Sequence, residues 1–204
     1  MNDIHKTNQQ KVLIKNIDYK PYINPEVDAR YYLQLPPEKT IITMISPLKR
    51  DCGHCFFLEV ARKIVEIYEN AHFLIVHQEI DLDFQKEFNS IKTSYNLRGR
   101  FDIIKFKDEI PDILKASDIF VFPMAIENEF PQIILKAMAT GLPVVSIKSN
   151  LFQKVILDQE TGFLIDKNDV ESAFQKISLL LENPDLTEKM GKSGQERVIQ
   201  HFSR

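Results

Sequence analysis

No tryptophan occurs among the 204 residues, and the only two cysteines share one tetrapeptide, Cys52-Gly53-His54-Cys55. Two cysteines so placed cannot build the disulfide framework that staples small secreted domains. Neither sign of charge dominates: 26 Lys and Arg stand against 29 Asp and Glu, a formal net charge of -3. Without a broad basic field the chain lacks the electrostatic footprint of a nucleic-acid or anionic-membrane binder, so no nucleic-acid partner is expected. No apolar run approaches the roughly 18 to 20 residues that span a bilayer. Met1 to Gln10 is polar where a signal peptide would carry an apolar stretch. The expectation is a cytoplasmic protein with no membrane span.

Metal-ligand spacing is missing as well. His5, His54, His72, His77 and His201 show no ligand pattern, and Cys52, His54 and Cys55 make an incomplete zinc set with neighbours too close in sequence. Asp81 and Asp83 read as the cap of a helix rather than as a carboxylate pair for a metal-bound diphosphate. No cofactor is expected, and there is no internal repeat or low-complexity tract.

What the chain does have is ordinary globular composition, 44% hydrophobic and 27% charged. Its length suffices to bury roughly 70% of the unfolded surface. Short runs rich in Val, Ile and Phe recur at Ile41 to Ser46, His72 to His77, Asp102 to Phe106, Ile119 to Pro123 and Leu142 to Ile147. They read as buried parallel strands. Between the first two, Phe57, Val60, Ala61, Ile64, Ile67 and Tyr68 form one apolar helical stripe. Further helices are expected at Asp81 to Tyr95, Ile110 to Ala116 and Phe130 to Thr140, the last stopped by Gly141 with Pro143 just beyond. After Thr161 to Ile165 two more follow, about 169 to 182 and 184 to 201, Pro184 marking the second start.

Strands alternating with helices predict an α/β fold, a Rossmann-like doubly wound parallel sheet covered on both faces. Residues 1–40, polar and carrying Pro21, Pro25, Pro36 and Pro37, read as a linker or strap, and 41–204 as the domain. Ligands of such sheets bind beyond the carboxyl ends of the strands.

One stretch carries a family pattern: Ala116-Ser117-Asp118-Ile119-Phe120-Val121-Phe122-Pro123, then Glu127 to Thr140 and Gly141-Leu142-Pro143-Val144-Val145. It resembles the donor-binding, C-terminal half of GT-B glycosyltransferases of family 4 (group 1). The likeness extends upstream through Pro36-Pro37-Glu38-Lys39. Downstream it runs through Asp158 to Leu164, Asn183 to Leu186, Met190-Gly191, Arg197-Val198 and His201-Phe202-Ser203, covering about 165 residues in all. The resemblance implies a metal-independent domain that binds a nucleotide sugar. Joined to an N-terminal acceptor-binding domain or partner chain, it would transfer the sugar in polysaccharide or glycoconjugate biosynthesis.

The resemblance also implies site positions. Phe130, Gln132 and Ile133 open a helix whose free amides and dipole make an anion-binding end. Two acidic side chains eight residues apart would hold hydroxyls of the donor; here those positions are Asn128 and Lys136. Glu127 and Glu129 also read as solvated charges favourable to the helix dipole. An arginine and a lysine of the loop after the first strand fall on Pro47 and Cys52, with Lys49 and Arg50 between them and Gly53 next. A further acidic position is Lys154, and a glycine-rich turn is replaced by His77-Gln78. The candidate donor-binding set is therefore Lys49, Arg50, Gly53, Asn128, Glu129, Phe130, Gln132, Ile133 and Lys136, with no catalytic residue assigned.

Scaffold positions are kept while charged ones are changed, so weak donor binding without transfer is expected. An ammonium only donates hydrogen bonds, so glutamate restored at 128 and 136 is expected to strengthen binding. The alternative is a non-catalytic pseudo-glycosyltransferase partner subunit.

A remote alternative is a thiol-disulfide oxidoreductase. Cys52-Gly53-His54-Cys55 matches the redox tetrapeptide of protein disulfide isomerases and lies after a strand at a helix start, where the first thiol's pKa would be lowered. Tyr95 to Gly99 is similar to a later stretch of that family. Its preceding tryptophan is absent, and the position of its cis-proline falls on Asp102.

Overall fold

The computed structural model describes residues 20–23, 29–106, 110–124 and 131–202. In chain order the elements are α1 (Lys20–Ile23), α2 (Ala29–Tyr32), β1 (Thr40–Ile45), α3 (His54–Val65), β2 (Ala71–His77), α4 (Leu82–Ser94) and β3 (Phe101–Lys105). Then come α5 (Ile110–Lys115), β4 (Ile119–Phe122), α6 (Gln132–Ala139), β5 (Val144–Ile147), β6 (Gly162–Ile165), α7 (Val170–Glu182) and α8 (Pro184–His201). The six strands form one sheet in the order β3-β2-β1-β4-β5-β6, every neighbouring pair parallel. This is the doubly wound arrangement expected from the strand-helix alternation.

Alternation along each strand divides the core between the two faces. Ile41, Ile45, Leu74, Val76, Phe120 and Phe122 pack beneath α5, α6 and α8. Ile42, Met44, Phe73, Ile75, Ile119 and Val121 pack beneath α3, α4 and α7. All seven β2 residues are buried, as a central parallel strand covered on both sides requires. On the second face Phe73 stacks on Phe101 at 5.0 Å, with Phe57 edge-on to Phe73 at 5.4 Å.

Element ends are trimmed by local chemistry. Asp81 lies just outside α4 and caps it, accepting from the Asp83 and Phe84 amides at 3.0 Å. The strand expected from Leu142 begins at Val144 because Gly141, at φ 83°, closes α6 with the Leu142 amide donating to the Ala137 carbonyl. Pro131 stands at the N-cap of α6, and the expected start at Phe130 lies outside the described residues.

Within the segment preceding residue 41, Tyr22, Ala29 and Leu35 are buried in the first core cluster. Arg30 fastens that segment to the amino ends of the strands. Its guanidinium donates to Asp118 at 2.6 Å and to the carbonyls of Ala116, Pro37 and Lys39 at 2.9–3.1 Å. Asp118 in turn accepts from the Ile41 amide at 2.6 Å.

Candidate functional site

At the carboxyl ends of β1, β2 and β3 lies a cavity of about 460 Å³. Its wall is the end of β1 and the residues after it (Ile45, Ser46, Pro47), the turn after β2 (Gln78, Glu79), Phe106 after β3, Ile110 of α5, Ile133 and Lys136 of α6, and Tyr22 of α1. This is where a doubly wound sheet opens a crevice, beside the point between β1 and β4 at which its strand order reverses. A second cavity of about 410 Å³ lies at the same end, bounded by Gly53, His54, Cys55, Phe84, Pro123, Met124, Lys167 and Asn168.

Neither cation of the loop after β1 lines either cavity, although Lys49 meets Glu79 on the wall of the first. Lys49 pairs with Glu79 and Arg50 with Glu87, both exposed. The pairing holds the Lys49 ammonium above, and the Glu79 carboxyl below, their ordinary pKa values. The Arg50 guanidinium also sits 5.9 Å over the Phe84 ring. Gly53, the N-cap of α3, has φ 79°, and a Cβ there would come within 2.6 Å of Pro123 Cγ. Glycine is required both by the left-handed backbone and by this close approach.

His54 anchors the loop from beneath. Its Nε2 lies 2.8 Å from the Pro47 carbonyl oxygen, which can only accept, so Nε2 carries the proton. The ring packs 5.8 Å from Phe84 and 6.1 Å from Phe88. Its Nδ1, like that of His77, is buried without a partner among the described residues. Burial lowers the pKa of both imidazoles, keeping them neutral.

On α6, side chains lean toward the amino end, which aligns Lys136 with Ile133 one turn earlier on the cavity wall. Lys136 is half-buried, its Nζ 5.9 Å from the Tyr22 ring centroid, and desolvation holds its ammonium below the usual lysine range. Gln132 is exposed and Ile133 half-buried. Asn128, Glu129 and Phe130 lie outside the described residues. Lys154 is exposed in the short 3-10 turn Phe152–Lys154 and lines none of the cavities described. The structure therefore brings Ile133 and Lys136 to one cavity and Gly53 to the other, and commits Lys49 and Arg50 to ion pairs.

Sequence reasoning missed Tyr22, Glu79, Phe106 and Ile110. Phe106 directly follows β3 and Glu79 lies two residues beyond β2, a positional signal that could have found them. Tyr22 gives none, because only the tertiary fold brings α1 to this end.

One expectation is corrected. The Cys52 thiol is pushed up, not down: its partial burial outweighs the nearby Lys49 charge and the Lys49 backbone contact. Cys55 is also raised, by burial and then by Glu87 and Glu59. Both thiols are free and mostly protonated at neutral pH, the opposite of what a redox nucleophile needs. Among the described residues no three His, Cys, Asp or Glu side chains are grouped to hold a metal ion, and no helix is long and apolar enough to cross a membrane.

The chain has counterparts among known proteins. The chain is 29% identical over 188 residues to the UDP-Gal:alpha-D-GlcNAc-diphosphoundecaprenol alpha-1,3-galactosyltransferase of Escherichia coli, a match covering 91% of this chain and 47% of that protein. It thus spans about half the length of this relative, as it does of the trehalose synthase of Pyrococcus horikoshii, at 28% identity and 46% of its length. Its fold matches the crystal structure of the C-terminal domain of the group 1 glycosyl transferase LpcC from Francisella tularensis. There the TM-score is 0.81 at 22% identity, covering 92% of this chain and 99% of that one. The family model for glycosyl transferases group 1 matches residues 28–197. With its six-stranded parallel sheet and that match over most of its length, the chain belongs to the group 1 glycosyl transferases.

Proposed function

We propose that residues 41–204, led in by a strap over 1–40, form the nucleotide-sugar donor-binding domain of a cytoplasmic glycosyltransferase that acts in polysaccharide or glycoconjugate assembly. The observation that carries this reading is the cavity at the carboxyl ends of β1 to β3, walled by Ile133 and Lys136 of α6. A crevice there has the size and chemistry for a nucleotide: apolar surface from Ile45, Phe106 and Ile110 for a base, and polar groups from Ser46 and Gln78 for hydroxyls. Of the solved structures with this fold, that of Anabaena HepE is in complex with UDP and glucose, at 20% identity and a TM-score of 0.82, covering 92% of this chain and 51% of that one.

Transfer requires more than this domain. Sugar departure leaves negative charge on a diphosphate, and preorganised cations stabilise that charge in the transition state. Lys49 and Arg50, the loop cations nearest in sequence, are already neutralised by Glu79 and Glu87. The chain alone is expected to bind the donor and to need an N-terminal acceptor-binding domain or partner chain for catalysis. The same neutralised cations favour a second reading, a non-catalytic partner subunit.

Calorimetric titration with UDP, GDP, ADP and their sugars tests the donor reading. Saturable binding of one nucleotide at micromolar to millimolar affinity is the expected result, and no binding of any would overturn it. Adding an acceptor-domain chain and following sugar transfer separates the two readings: turnover supports the enzyme, and donor binding without turnover supports the partner subunit.

A further inference from the structure

Among the described residues, the wall of the first cavity carries three titratable side chains, Tyr22, Glu79 and Lys136. Two of them add no net charge. Burial raises the pKa of the Tyr22 phenol and keeps it neutral, and the Glu79 carboxylate is paired with Lys49. Lys136 is different. Its half-buried ammonium has no carboxylate and no hydrogen-bond acceptor among the described residues, and it sits 5.9 Å from the centroid of the Tyr22 ring. A partly desolvated cation with three donors and no anion is uncompensated. Among the described residues, the wall therefore presents one unpaired positive charge, on α6, while the cations of the β1 loop are paired with Glu79 and Glu87.

We propose that Lys136 is the charge-pairing residue of this cavity, and that the ligand seated there carries an anionic oxygen group which the Lys136 ammonium neutralises. The inference rests on the donor-site reading and deepens it. It also reverses the expectation drawn from the resemblance, under which glutamate at 136 would strengthen binding. With Lys49 held by Glu79 of the wall and Arg50 by Glu87, a carboxylate at 136 would leave the described wall without an unpaired cation to meet an anionic donor. Two parts of a sugar nucleotide share the required chemistry: the diphosphate, and the carboxylate of an acidic sugar.

The test is calorimetric titration of the full chain and of its Lys136→Met, Lys136→Arg and Lys136→Glu variants, each first shown to melt like the parent. The probes are UDP, uridine, UDP-glucose, UDP-glucuronic acid and inorganic pyrophosphate. The expected result is an affinity for UDP that falls about tenfold or more in Lys136→Met, falls further in Lys136→Glu and stays within about threefold in Lys136→Arg, uridine being unaffected. That outcome identifies the diphosphate as the paired anion. A loss confined to UDP-glucuronic acid supports the proposal with the sugar carboxylate as its partner.

Unchanged affinity of Lys136→Met for both UDP and UDP-glucuronic acid, or tighter binding by Lys136→Glu, overturns the role of Lys136 and leaves the donor reading intact. Pyrophosphate bound by the parent and lost in Lys136→Met, with UDP no tighter than pyrophosphate and no uridine bound, keeps the charge pairing and overturns the donor reading. Binding of no probe, and of neither GDP nor ADP in the same titration, overturns both.

Discussion

The two ends of the sheet handle polar groups differently. At the amino ends of the strands, Arg30 places its donors on Asp118 and three carbonyls, Asp118 also takes the Ile41 amide, and Thr43 and Ser117 share a hydrogen bond at 2.6 Å. At the carboxyl ends the Lys136 ammonium and the Nδ1 atoms of His54 and His77 stand without hydrogen-bond partners among the described residues. Around Arg30 and Asp118 the polar groups are completed, whereas these three at the carboxyl ends are left unused. An unused polar group beside a crevice is what a ligand can complete, whereas a completed network resists both ligands and motion.

This contrast can be broken most severely at the locked end. A Cβ on Gly191 would overlap the Gly141 carbonyl, backbone against backbone, so Gly191→Ala should lower the unfolding free energy by about 3 kcal/mol. Denaturant unfolding checks it; a loss below about 1 kcal/mol would mean that α8 shifts freely against the Gly141 turn.

Next in size is pH. His54 and His77 have folded pKa values below the ordinary 6.5 because they are buried. Below pH 6.5 the unfolded chain takes up protons that the folded chain refuses. Stability is therefore fully present above that pH and falls as pH drops toward the folded values. The slope is at most about 1.4 kcal/mol per pH unit for each imidazole. Urea unfolding at pH 7.5 and 5.5 should show the loss, and replacing His54 with Gln should flatten it.

Arg30→Met should cost about 1 to 2 kcal/mol, the scale of charged hydrogen bonds at a partly exposed site, without altering nucleotide affinity. Smallest of all, Lys49→Met with Arg50→Met should leave the denaturant midpoint unchanged within error, since both pairs are exposed and screened by solvent. The double replacement Cys52→Ser and Cys55→Ser should likewise leave folding and ligand binding nearly unchanged. Thiol-dependent insulin reduction by the native chain, abolished in that double variant, would contradict this.

Much of the scaffold was legible because its signals are local. The apolar runs at 41–46, 72–77, 102–106, 119–123 and 142–147 each became a strand shifted by at most two residues, and their alternation with helices became the parallel, doubly wound sheet expected of it, though not its strand order. Asp81 announced its cap and Gly141 its helix stop. The site was legible only as positions. That Lys49 meets Glu79, thirty residues away, depends on β1 and β2 lying side by side, and no periodicity reports it. The entry of Tyr22 into the cavity wall and the upward shift of the Cys52 thiol likewise follow from burial, which is a property of the assembled fold.

The most direct test of a donor site at the carboxyl ends is amide chemical-shift mapping of the labelled chain during titration with a saturating nucleotide sugar. The expected pattern is shifts at Ser46, Gln78, Glu79, Ile133 and Lys136, which wall the cavity of about 460 Å³, with Thr40, Ser117, Gly141 and Thr187 unmoved. Shifts concentrated on those last four, around the cavity at the amino ends of the strands, would contradict it.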